Sequence, residues 1–575
     1  MKRYWKYIRP YIQYYILGPC FMMMEVVGDV LLPYMLAKII NQGIAERNVV
    51  YIIKIGAIMG FIAVIMAVGG VLGAWFASKA AMNFGADLRM DLFEKIQQFS
   101  FQNIDNFSTG SLITRLTNDI TQIQNMIMMT LRMCLRSPGI LIGAMVMAFV
   151  ISPKLAAIFI IVLPVLAVLI VVIMRRAFPQ FRTLQEKLDA LNSCIQEGLV
   201  GIRLIKSFVR GDYEEMRFEK RNQQLKEANL TTMKTMLLYT PLMTLALNIT
   251  TVVVVWSGGN MIVAGNMQVG DLTAFTNYIV QIMSSLTMLS IAFLNWARAI
   301  ASFRRVGEVL DEKIDLTDEN AKHKDRAVCE GSVEFQNVSF RYYKNSPEWV
   351  IENISFKLEA GKTLGIIGST GSGKSTLVSM IPRLYDTDEG TVLVDGINVQ
   401  DYGLKPLREG IGMVLQNNTL FSGSITENLK WGDEHADEKA VRKAAQNAQA
   451  AGFIDSFKDG YRTRLEQSGN NVSGGQKQRL CIARALLKCP KILILDDSTS
   501  AVDTATERAI REALHSEYKD MTKIIIAQRI RSVMDADEIL VLDNGKTAGF
   551  GTHEQLLADC PVYREIYDVQ NGREE

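Results

Sequence analysis

The chain of 575 residues is 49% hydrophobic and only 21% charged, with a mean hydropathy of +0.12. Such apolarity excludes an intrinsically disordered chain or a coiled coil, and a formal net charge of +2 excludes a nucleic-acid binder that depends on overall charge. The composition is typical of a membrane protein that carries a soluble domain.

The first 300 or so residues contain six apolar segments that predict membrane-spanning helices. Leu155–Met174 is a run of 20 residues without a charge, which is the length needed to cross about 30 Å of hydrocarbon. The other segments are Tyr14–Ala37, Ile55–Ser78, Ser137–Ser152, Met236–Gly270 and Leu272–Ala297. Ser137–Ser152 continues a helix that is expected to begin near Met126. The sequence therefore predicts an α-helical transmembrane domain with six spans over residues 1–310.

Basic residues indicate on which side of the membrane each connection lies. Lys and Arg precede the first span and are frequent between the fourth and fifth spans, but they are sparse in the connections 1–2, 3–4 and 5–6. The positive-inside rule therefore places both termini in the cytoplasm. The two long cytoplasmic loops, about 79–130 and 175–235, have apolar residues at helical spacing, and we expect helices that extend the spans.

A soluble domain is predicted in the second half of the chain. The charge-dense stretch Asp311–Glu330 predicts a linker over 311–330, and apolar strands punctuated by glycine follow it over 331–575. One of these strands is predicted at Thr363–Ile367 and a helix at Leu377–Leu384. The pattern favours an α/β domain.

A phosphate-binding loop lies between that strand and that helix. The residues from the loop into the helix are Gly368, Ser369, Thr370, Gly371, Ser372, Gly373, Lys374, Ser375 and Thr376. They match the pattern Gly-x4-Gly-Lys-Ser, in which glycines let backbone N–H groups converge on phosphate oxygens. Lys374 would reach the β- and γ-phosphates, and the Ser375 hydroxyl would ligate Mg²⁺. The predicted cofactors are therefore ATP and Mg²⁺.

Several further motifs resemble those of ATP-binding-cassette (ABC) proteins. A second strand, Ile492–Leu495, ends in Asp496, the carboxylate expected beside Mg²⁺. The segment that resembles the family's signature motif is Ser473, Gly474, Gly475 and Gln476. Tyr342 is similar to the aromatic that stacks on adenine, Gln416 to the Q-loop glutamine and Asp503 to the D-loop aspartate. The resemblance implies a cassette that holds Mg²⁺ through Ser375, Gln416 and Asp496, with its signature and Asp503 acting across a dimer.

The membrane half also resembles the six-span domain of ABC exporters (the type I/IV exporter fold). Phe107–Gly110 and Arg115–Asp119 stand where that family's first intracellular loop does. The likeness implies a half-transporter that works as a dimer. Short coupling helices are expected near Gln102–Asn106 and Val209–Glu215, and the second loop is expected to reach the partner's cassette.

Two positions depart from the family pattern at the residues of catalysis. The residue after the Walker B aspartate is normally glutamate, the general base, but here it is Asp497, one methylene shorter. The switch residue is normally histidine, but here it is Gln528. The glutamine amide can hydrogen-bond a γ-phosphate, but unlike an imidazole it cannot gain or lose a proton. These departures indicate a site that holds ATP and cleaves it poorly, and a slow homodimer that tolerates them is the alternative.

The intact signature makes most sense if it closes over a competent site on a different chain. The sequence thus resembles the degenerate-site subunit of bacterial heterodimeric ABC multidrug exporters. Its partner would be a second half-transporter with an intact catalytic glutamate and switch histidine. The complex would export hydrophobic or amphipathic compounds across the bacterial plasma membrane, with no role for nucleic acid. A homodimeric lipid or peptide exporter and a nucleotide-gated regulatory membrane protein stay open.

Two acidic residues inside the first predicted span are candidate substrate contacts. Glu25 and Asp29 are four residues apart and therefore share one helical face. Ionisable residues in a span are costly, so they are functional candidates by default. They either face a cavity and favour cationic amphipathic substrates, or are satisfied by hydrogen bonds or an arginine within the bundle. No pattern in the spans identifies the substrate as a drug, a lipid or a peptide.

Overall fold

The computed structural model describes residues 2–344 and 346–571 of the chain. The chain divides into two compact units. The first unit comprises Met1–Gln97 and Gly110–Asp311, and the second comprises Gln98–Thr109 and Glu312–Glu575. The short segment 98–109 therefore belongs to the second unit, although it lies between two stretches of the first along the chain.

The described residues of the first unit form helices joined by short turns. Its α-helices are Trp5–Ile8, Ile12–Lys38, Val49–Gln97, Thr109–Thr114, Ile120–Met133, Arg136–Ile151, Pro153–Ala156, Ile158–Val200, Ile202–Ser207, Gly211–Leu237, Tyr239–Val263 and Val269–Asp311. Wider π-helical turns occur at Ile39–Ile44 and Arg115–Asp119. Helices satisfy their own backbone groups, which is a requirement for any chain segment in hydrocarbon.

Among the described residues, five helical stretches are long and apolar enough to cross a membrane. They are Trp5–Ile44, Val49–Gln97, Thr109–Ile151, Pro153–Val200 and Gly211–Val263. The sixth predicted span, Leu272–Ala297, lies in the helix Val269–Asp311, in which several side chains are outside the described residues. The count of six spans therefore stays a prediction.

Aromatic residues organise the core of the first unit. Phe159 and Phe275 are fully buried and stack with their ring centroids 5.6 Å apart. Tyr278, also fully buried, donates its hydroxyl hydrogen to the carbonyl oxygen of Val30 over 2.7 Å. This bond satisfies a polar group that would otherwise be costly in an apolar interior.

The residues of the second unit that the structure describes form twelve strands. In chain order they are β1 Val333–Phe340, β2 Ile351–Leu358, β3 Thr363–Gly368, β4 Glu389–Val394, β5 Ile397–Asn398, β6 Ile411–Val414, β7 Gly423–Ser424, β8 Arg464–Leu465, β9 Ile492–Asp496, β10 Thr522–Ile526, β11 Glu538–Asp543 and β12 Lys546–Gly551. The main sheet has the order β12-β11-β3-β10-β9-β6, and all its pairs are parallel except β11–β12. A smaller antiparallel sheet has the order β2-β1-β4-β5, and β7 pairs with β8.

Helices flank these sheets. They are Phe101–Asp105, Lys374–Ser379, Leu404–Glu409, Ile425–Leu429, Glu438–Asn447, Ala451–Ser456, Gly474–Leu487, Thr504–Glu517, His553–Asp559 and Pro561–Asn571. The strands predicted at Thr363–Ile367 and Ile492–Leu495 are confirmed as β3 and β9. The predicted α/β architecture with a phosphate-binding loop after β3 is therefore confirmed.

Two helix predictions need correction. The helix predicted at Leu377–Leu384 runs from Lys374 to Ser379 instead, because Pro382 offers no N–H and disfavours the α conformation just before it. The short helix expected near Val209–Glu215 is found earlier, at Ile202–Ser207. Val209 has a left-handed φ of 52°, so the chain turns there before the next long helix begins. A short helix is present at Phe101–Asp105, close to the first of the two expected positions, Gln102–Asn106.

Candidate functional site

The parallel strands of the main sheet bring the predicted site residues to one edge. Strands β3, β10, β9 and β6 are neighbours, so their carboxyl ends lie side by side, where ligands bind in open α/β sheets. A cavity of about 320 Å³ occupies this edge. Its lining is Tyr342, Val350, Thr370, Gly371, Ser372, Gly373, Lys374, Ser375, Thr376, Gln416, Asp496, Asp497, Ile526 and Gln528.

Most of these residues were predicted from motifs, but Val350 and Ile526 were missed. Both residues are apolar. Val350 lies just before β2 and Ile526 is the last residue of β10. Their signal is only their place in the sheet, which the sequence alone does not give. Gly368 and Ser369 were predicted but contribute only backbone carbonyls, as described next.

Glycines shape the phosphate-binding loop. Gly371 and Gly373 have left-handed φ values of 86° and 88°. A Cβ at position 373 would lie 2.6 Å from a side-chain carbon of Ile351, so only glycine fits there. The ammonium of Lys374 donates to the carbonyl oxygens of Gly368 at 2.9 Å and Ser369 at 2.7 Å. Burial lowers the pKa of Lys374 because loss of water disfavours the charged ammonium.

The donor set beside the loop fits Mg²⁺. The Ser375 hydroxyl donates to a carboxylate oxygen of Asp496 over 3.0 Å, and Gln416 lines the same cavity after β6. Oxygen ligands of this kind are those that Mg²⁺ prefers. Asp496 is only 3% exposed, and burial raises its pKa. A bound cation would relieve this desolvation by pairing with the carboxylate.

An aromatic ring borders the cavity on the far side of the loop. The Tyr342 hydroxyl is 2.8 Å from the Thr376 hydroxyl, which fixes the ring over the helix Lys374–Ser379. The ring packs edge-on against Phe340 and Tyr385, with centroid distances of 5.1 and 5.3 Å. This placement provides a flat surface on which a base can stack.

The two departures from the family pattern contact each other. The Gln528 amide donates to a carboxylate oxygen of Asp497 over 2.9 Å. Asp497 has a left-handed φ of 47°, and its backbone N–H is bonded to the carbonyl oxygen of Ile526 over 3.1 Å. Burial raises the pKa of Asp497. The carboxylate that follows β9 is therefore engaged by an amide.

The signature segment begins a helix away from this cavity. Ser473 is the N-cap of Gly474–Leu487: its hydroxyl accepts from the Gln476 N–H over 3.3 Å, and the Gln476 side chain accepts from the Ser473 N–H over 2.9 Å. This reciprocal arrangement is a capping box. Ser473, Gly474, Gly475 and Gln476 are not part of the cavity lining in the described chain, so they are free to face a different nucleotide.

Asp503 also caps a helix outside the cavity. Its carboxylate accepts from the Thr506 N–H over 3.0 Å at the start of Thr504–Glu517, and this bond lowers the pKa of Asp503. The predicted site residues thus separate into one set around the cavity and one set, the signature and Asp503, elsewhere on the cassette.

The acidic pair in the first span is bridged by an arginine. One Arg136 nitrogen donates to Glu25 at 2.9 Å and to Asp29 at 3.2 Å. About a quarter of each of these side chains is exposed. Of the two interpretations of Glu25 and Asp29, the contacts favour the one in which an arginine within the bundle satisfies them.

The short helix Phe101–Asp105 is held by a buried asparagine. Asn103 is fully buried, and its amide donates to the Lys313 carbonyl oxygen at 2.9 Å and to the Asp315 carboxylate at 3.2 Å. The Asp105 carboxylate accepts from the Tyr385 hydroxyl over 3.0 Å. The helix Phe101–Asp105 is therefore bonded both to the segment 313–315 and to Tyr385.

Comparison with known proteins places both halves of the chain. The family described as "ABC transporter transmembrane region" matches residues 15–286, and that described as "ABC transporter" matches residues 351–500. The chain is 39% identical over its full length to 99% of an uncharacterized ABC transporter ATP-binding protein, YfiB, of Bacillus subtilis (strain 168). It is 32% identical, over 99% of both chains, to the putative multidrug export ATP-binding/permease protein YgaD of the same organism.

The fold is similar to that of a solved exporter. The structure of a bacterial Atm1-family ABC exporter with ATP bound matches 98% of both chains with a TM-score of 0.81. Because the two sequences are only 24% identical, this likeness concerns the fold alone.

Proposed function

This chain belongs to the ABC transporters and is a transport ATPase with a membrane domain fused to its cassette, and from that premise we propose that it is the degenerate-site subunit of a heterodimeric exporter. Its own cavity binds Mg²⁺ and ATP and hydrolyses the nucleotide slowly. Its signature and Asp503 complete the competent site of a partner half-transporter.

The observation that carries the proposal is the hydrogen bond between Gln528 and Asp497. A general base must accept a proton from the attacking water, but one oxygen of Asp497 already accepts from an amide. The aspartate side chain is also one methylene shorter than glutamate, which draws the carboxylate back by about 1 Å, and misplacement on that scale can cost about 100-fold in rate. Gln528 offers no proton exchange in place of the usual histidine. Binding is retained because the loop, Ser375 and Asp496 keep their geometry.

A second half-transporter fits the division of the site residues. In a homodimer both sites would carry Asp497 and Gln528 and would be poor. A partner with glutamate and histidine at these positions gains a full site when this chain's intact signature closes over it. The region of the second cytoplasmic loop supports a partner too, since Leu204 and Phe208 are 61% and 69% exposed and border a cleft of about 600 Å³. Val209, the next residue, is 87% exposed. Apolar surface of this kind suits a protein contact.

The proposed cargo is a hydrophobic or amphipathic compound exported through the plasma membrane of a bacterium. The name of the relative YgaD, a putative multidrug export ATP-binding/permease protein, supports this class. In this arrangement residues 1–310 form the membrane domain with lipid around it, 311–330 the linker and 331–575 the cytoplasmic cassette, and both termini are cytoplasmic. Glu25 and Asp29 contact cargo only if Arg136 releases them.

Closure of the two cassettes on ATP would drive the change from an inward- to an outward-facing state. Because a ligand shifts an equilibrium only by its difference in affinity between the states, ATP must bind the closed pair more tightly by several kcal/mol. Slow turnover at Asp497 would keep one ATP in place while the partner's site resets the cycle.

The test is ATP turnover by this chain purified alone, beside the same chain co-purified with a half-transporter encoded next to it. Negligible turnover alone and robust turnover in the complex are expected. A Lys374→Ala variant controls for contaminating ATPases. Vigorous hydrolysis by the lone chain would overturn the proposal and favour the homodimer, whereas binding without turnover in every complex tested would favour a nucleotide-gated regulator.

A further inference from the structure

A residue at the end of the C-terminal helix holds the backbone at the switch position and two residues after it. Gln570 lies near the end of Pro561–Asn571. Its amide nitrogen donates to the carbonyl oxygen of Gln528 over 2.8 Å, and its amide oxygen accepts from the N–H of Ile530 over 2.8 Å. One side chain thus supplies both a donor and an acceptor to the segment that carries Gln528.

Apolar packing fixes the helix from which Gln570 extends. Tyr563 is fully buried in a cluster that includes Ala527 and Ile530, and Ile566 packs against that cluster. The Tyr563 hydroxyl also lies 2.7 Å from a ring nitrogen of His553. Gln570 itself is exposed, so the helix owes its position to this cluster and not to Gln570.

The two bonds bear directly on the site. The Gln528 carbonyl oxygen that accepts from Gln570 belongs to the same residue whose side-chain amide donates to Asp497 over 2.9 Å. If the backbone at 528 and 530 shifts, the amide moves relative to Asp497 and the cavity. A functional side chain must be held within about 0.5 Å of its working position, and hydrogen bonds from residues outside the site usually hold it there.

We propose that Gln570 is a positioning residue for the switch: it fixes the backbone of Gln528 and Ile530 so that the Gln528 amide stays on Asp497 and at the nucleotide cavity. It touches neither nucleotide nor metal, and it acts only through Gln528. The proposal rests on the function proposed above in one respect, namely that ATP is retained at this site long enough for its release to be measured.

Two substitutions separate the two bonds. Gln570→Ala removes both of them. Gln570→Glu keeps the acceptor for the Ile530 N–H but replaces the donor to Gln528 with a carboxylate oxygen, which faces the carbonyl oxygen. Val569→Ala is the matched control, because Val569 is the preceding residue of the same helix and is 76% exposed.

The experiment uses the full chain in lipid nanodiscs, loaded with radiolabelled ATP and Mg²⁺ and chased with unlabelled ATP. Since a net hydrogen bond is worth about 1 kcal/mol, we expect Gln570→Ala and Gln570→Glu to speed ATP release about 3- to 10-fold. Val569→Ala should leave release unchanged. The melting temperatures of all variants should agree within a degree or two, because the substituted side chains are exposed.

A double-mutant cycle decides whether Gln570 acts through Gln528. In a Gln528→Ala background, substitution of Gln570 should have no further effect on release, because the side chain that it positions is gone. Multiplicative effects of the two substitutions, or no effect of Gln570→Ala in the native background, would overturn the proposal.

ATP turnover is measured on the same samples. Fast ATP turnover, together with no further effect of Gln570 substitution in the Gln528→Ala background, would refute the degenerate site and leave the role of Gln570 supported. Slow ATP turnover, together with independent effects of the Gln570 and Gln528 substitutions on ATP release, would refute only the role of Gln570.

Discussion

At the scale of single residues, Asp497 and Gln528 form one unit, because each is the hydrogen-bond partner of the other. We therefore expect Asp497→Glu and Gln528→His to restore hydrolysis only together. A general base in position is worth about 10²- to 10⁴-fold, so the double variant should raise steady-state ATP turnover of the lone chain by at least about 100-fold. Lys374→Ala in the same background should abolish the gain. An unchanged rate in the double variant would mean that the defect lies elsewhere.

A second residue-scale prediction concerns pH. Burial raises the pKa of Asp496, so this carboxyl takes up its proton at a higher pH than an ordinary aspartate, whose pKa is about 3.9. A protonated carboxyl no longer pairs with Mg²⁺, so as the pH is lowered the Mg²⁺-dependent ATP affinity should begin to fall at a higher pH than it would for an aspartate of ordinary pKa. Asp496→Asn should show only the smaller dependence due to the nucleotide's own titration. Equal pH dependence in both proteins, measured by ligand binding, would contradict this assignment.

The sequence predicts the site better than it predicts what supports the site. The loop Gly368 to Ser375, Asp496 and Gln416 follow from motifs because each begins at the end of a parallel strand or just after it, and parallel strands bring these ends together. The contact of Gln528 with Asp497, and of Gln570 with the Gln528 backbone, joins residues 31 and 42 positions apart. Such contacts depend on tertiary packing, and no local sequence pattern predicts them.

At the scale of elements, the helix Phe101–Asp105 depends on Asn103. Asn103→Ala would leave the buried Ser100 N–H and the part-buried Lys313 carbonyl oxygen without their partner. An unsatisfied buried group costs about 1–3 kcal/mol, so we expect a lower melting temperature for the cassette transition of the full chain. Asn106→Ala is the control, because Asn106 is exposed at the end of the same helix. Equal melting temperatures for the two variants would contradict the role assigned to Asn103.

Element boundaries were predicted less well than element types. The helix after the phosphate-binding loop ends at Ser379, five residues earlier than predicted, because Pro382 outweighs the apolar run through Leu384. The short helix of the second loop lies at Ile202–Ser207, where Gly201 and the turn at Val209 delimit it. In both cases backbone conformation, and not hydrophobic pattern, sets the boundary.

At the scale of the whole molecule, the separation of the signature from the cavity gives the two halves of this cassette different tasks. In the proposed heterodimer, Ser473→Ala should lower ATP turnover of the complex by at least about 10-fold, because it removes a hydroxyl from the competent site. Lys374→Ala should lower turnover less, since it affects the slow site. Both variants are measured in the co-purified complex. The reverse order of effects would assign the competent site to this chain.

The capping box at Ser473 has a thermodynamic consequence for the closing of that site. Because the Ser473 oxygen accepts from the Gln476 N–H, its hydroxyl hydrogen remains available to a phosphate oxygen presented from outside. The loop has also been ordered during folding, so little conformational entropy is lost when it meets its target. Calorimetry of ATP-driven association in the proposed heterodimer should accordingly record only a small loss of conformational entropy from this segment.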